Sequence, residues 1–170
     1  MRSVFIVVAG FVLLTIESPL MFHMGLNFYA PDFTLILVMY LASTRPLLVG
    51  ATAAFILGFL KDGFAGGPAG LYTQIMILIF YVARLVMSRV SFRSPLLLMA
   101  FAFVTSLLAS VLFFLLSLLF VRDFTDYLLV FKMFLPQAII TAPFAPVVFY
   151  LAEWIDVFRK RKAETMFFSQ

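Results

Sequence analysis

Apolar residues fall in six runs along the chain, separated by short polar, glycine-bearing or proline-bearing segments. The runs are about Val4–Phe22, Phe33–Ser43, Leu47–Leu60, Leu71–Met87, Leu96–Val121 and Leu128–Leu151. Each predicts a helix, because uninterrupted apolar sequence of this length satisfies its backbone inside lipid only as helix. The first run follows a single Arg2, is too long for a signal-peptide core and lacks a small-residue exit, so it reads as a retained span. The second run covers only about 16 Å of helix at 1.5 Å per residue. The third is also shorter than the roughly 30 Å hydrocarbon core. Both are expected to be short, mostly enclosed helices. The fifth is long enough to cross with tilt. The sixth is expected to be interrupted, because Pro136, Gln137, Pro143 and Pro146 stand inside it.

One stretch departs from plain apolar filler: GATAAFILGFLKDGFAGGPAG, from Gly50 to Gly70. Gly50, Ala54 and Gly58 recur every four residues and so share a helix face. Small residues there let another helix's backbone come close, whether from the same chain or from a partner, and such faces also permit a homodimer. Asp62 continues that face one turn on, and the helix is expected to end there, in a run holding Gly63, Gly66, Gly67, Pro68 and Gly70. Pro31-Asp32 opens the second run, with Pro suited to a first helical turn and an acid complementing the helix dipole. Glu17 sits near the far end of the first run.

Composition turns these helices into membrane helices. The chain has 170 residues, of which 65% are hydrophobic and 12% charged, and its mean hydropathy is +1.15. A soluble domain of this size cannot bury so much apolar surface, so lipid is expected to solvate most of it. The fold class predicted is an all-α integral membrane protein of six transmembrane helices. Residues 1–158 form one polytopic domain, and residues 159–170 form a short basic tail.

The cations orient that domain. Six spans put Arg2, Arg45, Arg84, Arg89, Arg93, Arg159, Lys160, Arg161 and Lys162 on one side, which is nine, against Lys61, Arg122 and Lys132 on the other. Positively charged loops stay in the cytoplasm, so both termini are expected there. Arg45, Arg84, Arg89, Arg93 and residues 159–162 then serve as topology anchors, with Trp154, the only Trp, at headgroup level. Arg84 is expected to snorkel toward water, and the basic tail to be drawn to anionic lipid. Glu17, Pro31, Asp32, Asp62, Gly66 and Gly70 are expected to shape a turn or cavity facing outward.

Catalytic sets are not found. Intramembrane proteolysis needs an activated Ser with its base, paired aspartates on facing helices, or H-E-x-x-H; the sequence has no G-x-S-x-G, no G-x-G-D and a single His, His23. Asp32 and Asp62 read instead as helix-end carboxylates bonded to backbone. The absence of Cys removes thiolate chemistry, disulfides and Cys-based metal sites. No cofactor or metal is expected. The glycine loop lacks a following G-K-[ST], and beyond the basic tail nothing points to nucleic acid.

From Pro31 to about Val86 the sequence resembles the rod shape-determining protein MreD family. The matching residues are Pro31-Asp32 before DFTLILVMYLA, then Gly50, Gly58, Asp62, Gly66, Gly70-Leu71 and the run ending YVARLV. Two positions depart from the family's usual residues: Lys61 stands for Leu, and Ala65 for Ser. The resemblance implies a non-enzymatic scaffold in the inner membrane that binds MreC, near MreB, RodZ and the synthase of RodA with its penicillin-binding protein. It also implies a fold distantly similar to the six-helix substrate-binding components of energy-coupling-factor (ECF) transporters. A substrate-capture subunit for a vitamin or metal is therefore the alternative function.

Overall fold

The computed structural model describes residues 31–65, 70–90, 94–120 and 127–167, with the side chains of 120, 127–134 and 158–167 excepted. Among these residues the chain forms five helices and no strand: α1 (Phe33–Thr44), α2 (Leu47–Ala65), α3 (Leu71–Met87), α4 (Pro95–Phe120) and α5 (Tyr127–Phe167). The expected first span, Val4–Phe22, lies outside them. Three helical segments are long and apolar enough to cross a membrane: Leu47–Ala65, Pro95–Leu119 and Leu135–Val157.

The short helix α1 lies at the centre. Every residue from Thr34 to Ala42 is buried, because α2, α3 and α5 all pack around it. A helix covered on every side has no use for an amphipathic stripe, and FTLILVMYLA has none. Residue pairs fix its direction against α5: the Asp32 amide donates to Thr141, Phe33 meets Phe144 edge-on at 5.6 Å, and Tyr40 meets Phe149 at 5.5 Å. Both numbers in each pair rise together, so α1 and α5 run parallel. Helices α1, α3 and α5 point one way, and α2 and α4 the other.

The helix α2 differs from its expectation. It does not stop near Leu60 but continues through Lys61, Asp62 and Gly63 to Ala65. Both charged side chains find partners inside the fold, and one glycine costs a helix only about 1 kcal/mol, too little to end it. At about 28 Å the helix approaches the thickness of the hydrocarbon core. Nor is it enclosed: Gly50, Ala53, Ala54, Leu57, Gly58 and Asp62 form its buried face, while Leu48 is 79% and Phe59 62% exposed. The expectation of a short enclosed helix therefore holds for α1 and fails for α2.

The last two helices share the largest interface. Buried small side chains are frequent in both: Ala102, Thr105, Ser106 and Ser110 of α4, and Ala138, Thr141 and Ala145 of α5. Thr105 and Ser110 turn their hydroxyls back onto the carbonyls of Phe101 and Ser106, so the contact face leaves those polar atoms satisfied. In α5 the three prolines do not break the helix, which runs for 41 residues from Tyr127 to Phe167 with Pro136, Pro143 and Pro146 inside it. Each proline removes one backbone donor, but Ala138, Thr141 and Ala145, all 0% exposed, are clamped between neighbours. Tertiary packing holds helical a segment that local preference would break. The residues expected to form a tail past 159 are helical as far as Phe167.

Candidate functional site

Polar side chains gather at the two ends of the helix bundle. At one end stand Asp32, Lys61, Asp62, Tyr72, Thr73 and Thr141; at the other stand Tyr40, Arg45, Arg84 and Asp156.

Asp62 is a helix-terminus acceptor supplied by a different helix. Its Oδ1 accepts from the Tyr72 amide at 2.7 Å, and its Oδ2 accepts from the amides of Gly70 and Thr73, each at 3.1 Å, and from the Thr73 hydroxyl. The first amides of a helix have no partner within it, and α3 begins on Gly70, which has no side chain to cap with. Gly70 takes φ +94, a left-handed conformation in which a β-carbon is strained. This conformation turns the chain so that three backbone donors, at Gly70, Tyr72 and Thr73, converge on one carboxylate, which is 9% exposed. The negative charge also sits at the positive end of the α3 dipole.

Asp32 does the same for α1 from within its own chain segment. Its Oδ1 caps the Leu35 amide at 3.0 Å, the usual N-cap contact to the third helical residue. Its Oδ2 accepts from Lys61 at 2.5 Å, and the Lys61 ammonium lies 5.0 Å from the centre of the Tyr72 ring. Lys61, next to Asp62 in the chain, thus turns to Asp32 and leaves Asp62 to the α3 amides. Asp32 and Asp62 face separate helix ends and do not act as a carboxylate pair.

The small-residue face of α2 is occupied by α3. A β-carbon at Gly58 would come within 2.6 Å of the Thr73 Cα and 3.0 Å of the Tyr72 carbonyl oxygen. One at Gly50 would meet the Phe80 ring at 2.5 Å. Ala54, between them, is fully buried. Gly58 therefore sets how closely α3 approaches, and through it the distance from Asp62 to its donors. Gly58→Ala is expected to cost about 1–3 kcal/mol, because backbone must move. Gly50→Ala is expected to cost less, since a ring tip can rotate. Thermal unfolding of the two purified variants in detergent checks the order; equal midpoints for Gly58→Ala and the parent protein would refute it.

At the opposite end, two of the cations expected to be topology anchors are bonded inside the bundle. Arg45 is 9% exposed and pairs with Asp156 through both carboxylate oxygens, one at 2.7 Å. Tyr40 donates to the same carboxylate at 3.0 Å. Arg84 does not snorkel: its guanidinium donates to the carbonyls of Ala42 at 3.0 Å and of Arg45. Those are the terminal acceptors of α1, where a cation complements the dipole. Helix α1 is thus closed by Asp32 at its start, with Lys61 of α2 behind it, and by Arg84 of α3 at its end.

The other predicted residues fall as follows. Pro31 is buried beside Asp32, and its carbonyl accepts from the Phe33 amide. Arg89 is exposed in the turn after α3, and Trp154 is 51% exposed near Asp156. Glu17, Gly66, Arg93 and the side chains of Arg159, Lys160, Arg161 and Lys162 lie outside the described residues. Asp156, Tyr40 and Thr141 were not anticipated. The one sequence signal for Asp156 is an acid five residues past the apolar run that ends at Leu151, with the Arg45-Pro46 break elsewhere to pair with.

All-helical architecture, three membrane-length apolar segments and charges buried only as partnered groups fit the class of helical membrane proteins. The family model described as rod shape-determining protein MreD matches residues 1–158, and the chain belongs to that family. Comparison with curated proteins gives no match, and neither does comparison with solved structures. Membership brings with it a role in determining rod shape, in a family of structural proteins with no known enzymatic activity.

Proposed function

We propose that the protein is an inner-membrane scaffold of the cell-elongation machinery that binds MreC, helps to regulate lateral peptidoglycan synthesis and catalyses no reaction. The observation that carries this reading is the family match over residues 1–158. It is supported by the use to which the polar residues are put: Asp32, Asp62 and Arg84 bond to helix ends, and Arg45 to Asp156. MreB, RodZ and the RodA–penicillin-binding protein synthase are its proposed neighbours. In the proposed topology six helices span the membrane, Val4–Phe22 being the first, with an arrangement like the ECF substrate-binding components. The Arg45–Asp156 end then faces the cytoplasm and the Asp32–Asp62 end faces outward.

The alternative, a substrate-capture subunit, needs outward polar groups available to a ligand. Both oxygens of Asp62 and both of Asp32 already accept hydrogen bonds, which favours the scaffold. Co-purification from membranes tests this reading. The parent protein is expected to bring MreC with it, and Gly58→Leu, which forces α2 from α3, is expected to lose both abundance and MreC. A Gly58→Leu protein that stays abundant, retains MreC and supports rod shape would contradict the role given to this face. Thermal stabilisation by a vitamin or metal ion in a protein that never captures MreC would favour the transporter reading.

A further inference from the structure

The Arg45–Asp156 end of the bundle is not closed. A cavity of about 350 Å³ opens there among the end of α1, the turn after α3, the start of α4 and the middle of α5. Met87, Val90, Leu98 and Phe149 give it apolar walls, and Glu153 places a carboxylate in the lining. Other polar groups of the lining are already engaged. The Tyr40 hydroxyl is held by Asp156, and the hydroxyls of Ser43 and Thr44 donate to the Tyr40 carbonyl at 2.8 Å. Asp156, one turn along from Glu153, is neutralised by Arg45. Glu153 itself is in no ion pair among the described residues, so it is the uncompensated charge of the cavity.

A carboxylate flanked by aromatic rings selects a cation, by charge and by attraction to the ring faces. Tyr40 and Phe149, packed on each other edge to face at 5.5 Å, share the lining with Glu153. The volume is near the lower end of the range for small-molecule sites, enough for a headgroup and the first carbons of its chains. Leu85 and Leu96, two residues from the lining positions Met87 and Leu98, are 66% and 76% exposed on the outer faces of their helices, so lipid chains reach this level of the bundle. Arg89, adjacent to Val90 in the chain, is exposed at the same turn and supplies a cation for a phosphate.

A ligand that carries an ammonium, a neighbouring phosphate and apolar chains meets all of these groups at once. We propose that this cavity binds the headgroup of an aminophospholipid. The ammonium donates to Glu153 beside the paired rings of Tyr40 and Phe149, and the apolar wall around Leu98 receives the start of the acyl chains. The proposal rests on the chain lying in a membrane and is independent of MreC.

The test reconstitutes the full-length protein in vesicles of equal parts phosphatidylethanolamine and phosphatidylglycerol, extracts it gently and measures retained lipid by native mass spectrometry. Phosphatidylethanolamine is expected to be enriched about tenfold over phosphatidylglycerol, the scale of one hydrogen bond to a charged group. Glu153→Gln is expected to abolish the enrichment while leaving the thermal midpoint in detergent unchanged. Leu98→Trp keeps the charge but fills the cavity and is expected to release the lipid as well. Equal retention of both lipids by the parent protein, or enrichment that survives in either variant, would overturn the proposal.

Discussion

Asp62→Ala is expected to lower the thermal midpoint of the purified protein by on the order of 10 °C. The substitution strips three backbone donors, at Gly70, Tyr72 and Thr73, of their acceptor, together with the Thr73 hydroxyl. An unsatisfied buried donor costs about 1–3 kcal/mol. Water reaching the turn recovers part of this, so the expected total is about 3–6 kcal/mol. Two milder variants make the prediction sharper. Asp62→Asn keeps one acceptor oxygen but presents an amide to the remaining donors, and should fall between the parent and Ala. Thr73→Ala removes a single side-chain bond, worth about 1 kcal/mol, and should be mildest. Circular dichroism melting in a fixed detergent reads the series. An Asp62→Ala protein as stable as its parent would mean that α3 does not depend on this carboxylate for its start.

The second large effect belongs to the opposite end. Asp156→Ala leaves the Arg45 guanidinium buried without its counter-charge, and removing one partner of a buried pair costs about 3–5 kcal/mol. Arg45 is already poorly served at one position, since its Nε has no hydrogen-bond partner among the described residues. Removing both charges is different. In Arg45→Met/Asp156→Asn the methionine fills the space of the arginine stem, and the asparagine oxygen still accepts from Tyr40. Replacing a buried ion pair by uncharged groups is often near neutral, so the double variant should recover most of what Asp156→Ala loses. A double-mutant cycle on thermal midpoints measures the coupling. Additive losses would show that Arg45 and Asp156 act separately.

These two ends explain why some features were legible in the sequence and others were not. The Gly50–Ala54–Gly58–Asp62 face is periodic, and periodicity is local, so a helix with a close neighbour could be read directly. So could Asp32 as a helix-end carboxylate, because the N-cap contact reaches only three residues. The occupant of the small-residue face could not be read, since nothing in α2 says whether a helix from the same chain or from another one lies on it. The bonds from Arg84 to α1 and from Arg45 to Asp156 join residues 39 to 111 positions apart. A count of cations treats all of them alike, which made two internal clamps look like loop anchors. Proline misled for a related reason. It reports a lost local bond, while α5 stays helical because α1 and α4 hold it.

Read as architecture, the residues that carry the family resemblance have a common task. Pro31-Asp32 starts α1, Arg84 finishes it, and Gly58, Asp62 and Gly70 bring in and start α3. The charges lie where helices begin and end, which is where lipid offers the backbone no partner. These bonds hold the helices in register.

If the charged residues inside the bundle hold helices in place and take part in no chemistry, a protein without them but with the same helix contacts must still work. The measurement is the shape of cells that depend on the Arg45→Met/Asp156→Asn protein, compared with the parent at equal abundance in the membrane. Rod-shaped cells are the predicted result. Round cells, with the variant as abundant in the membrane as the parent, would contradict the account.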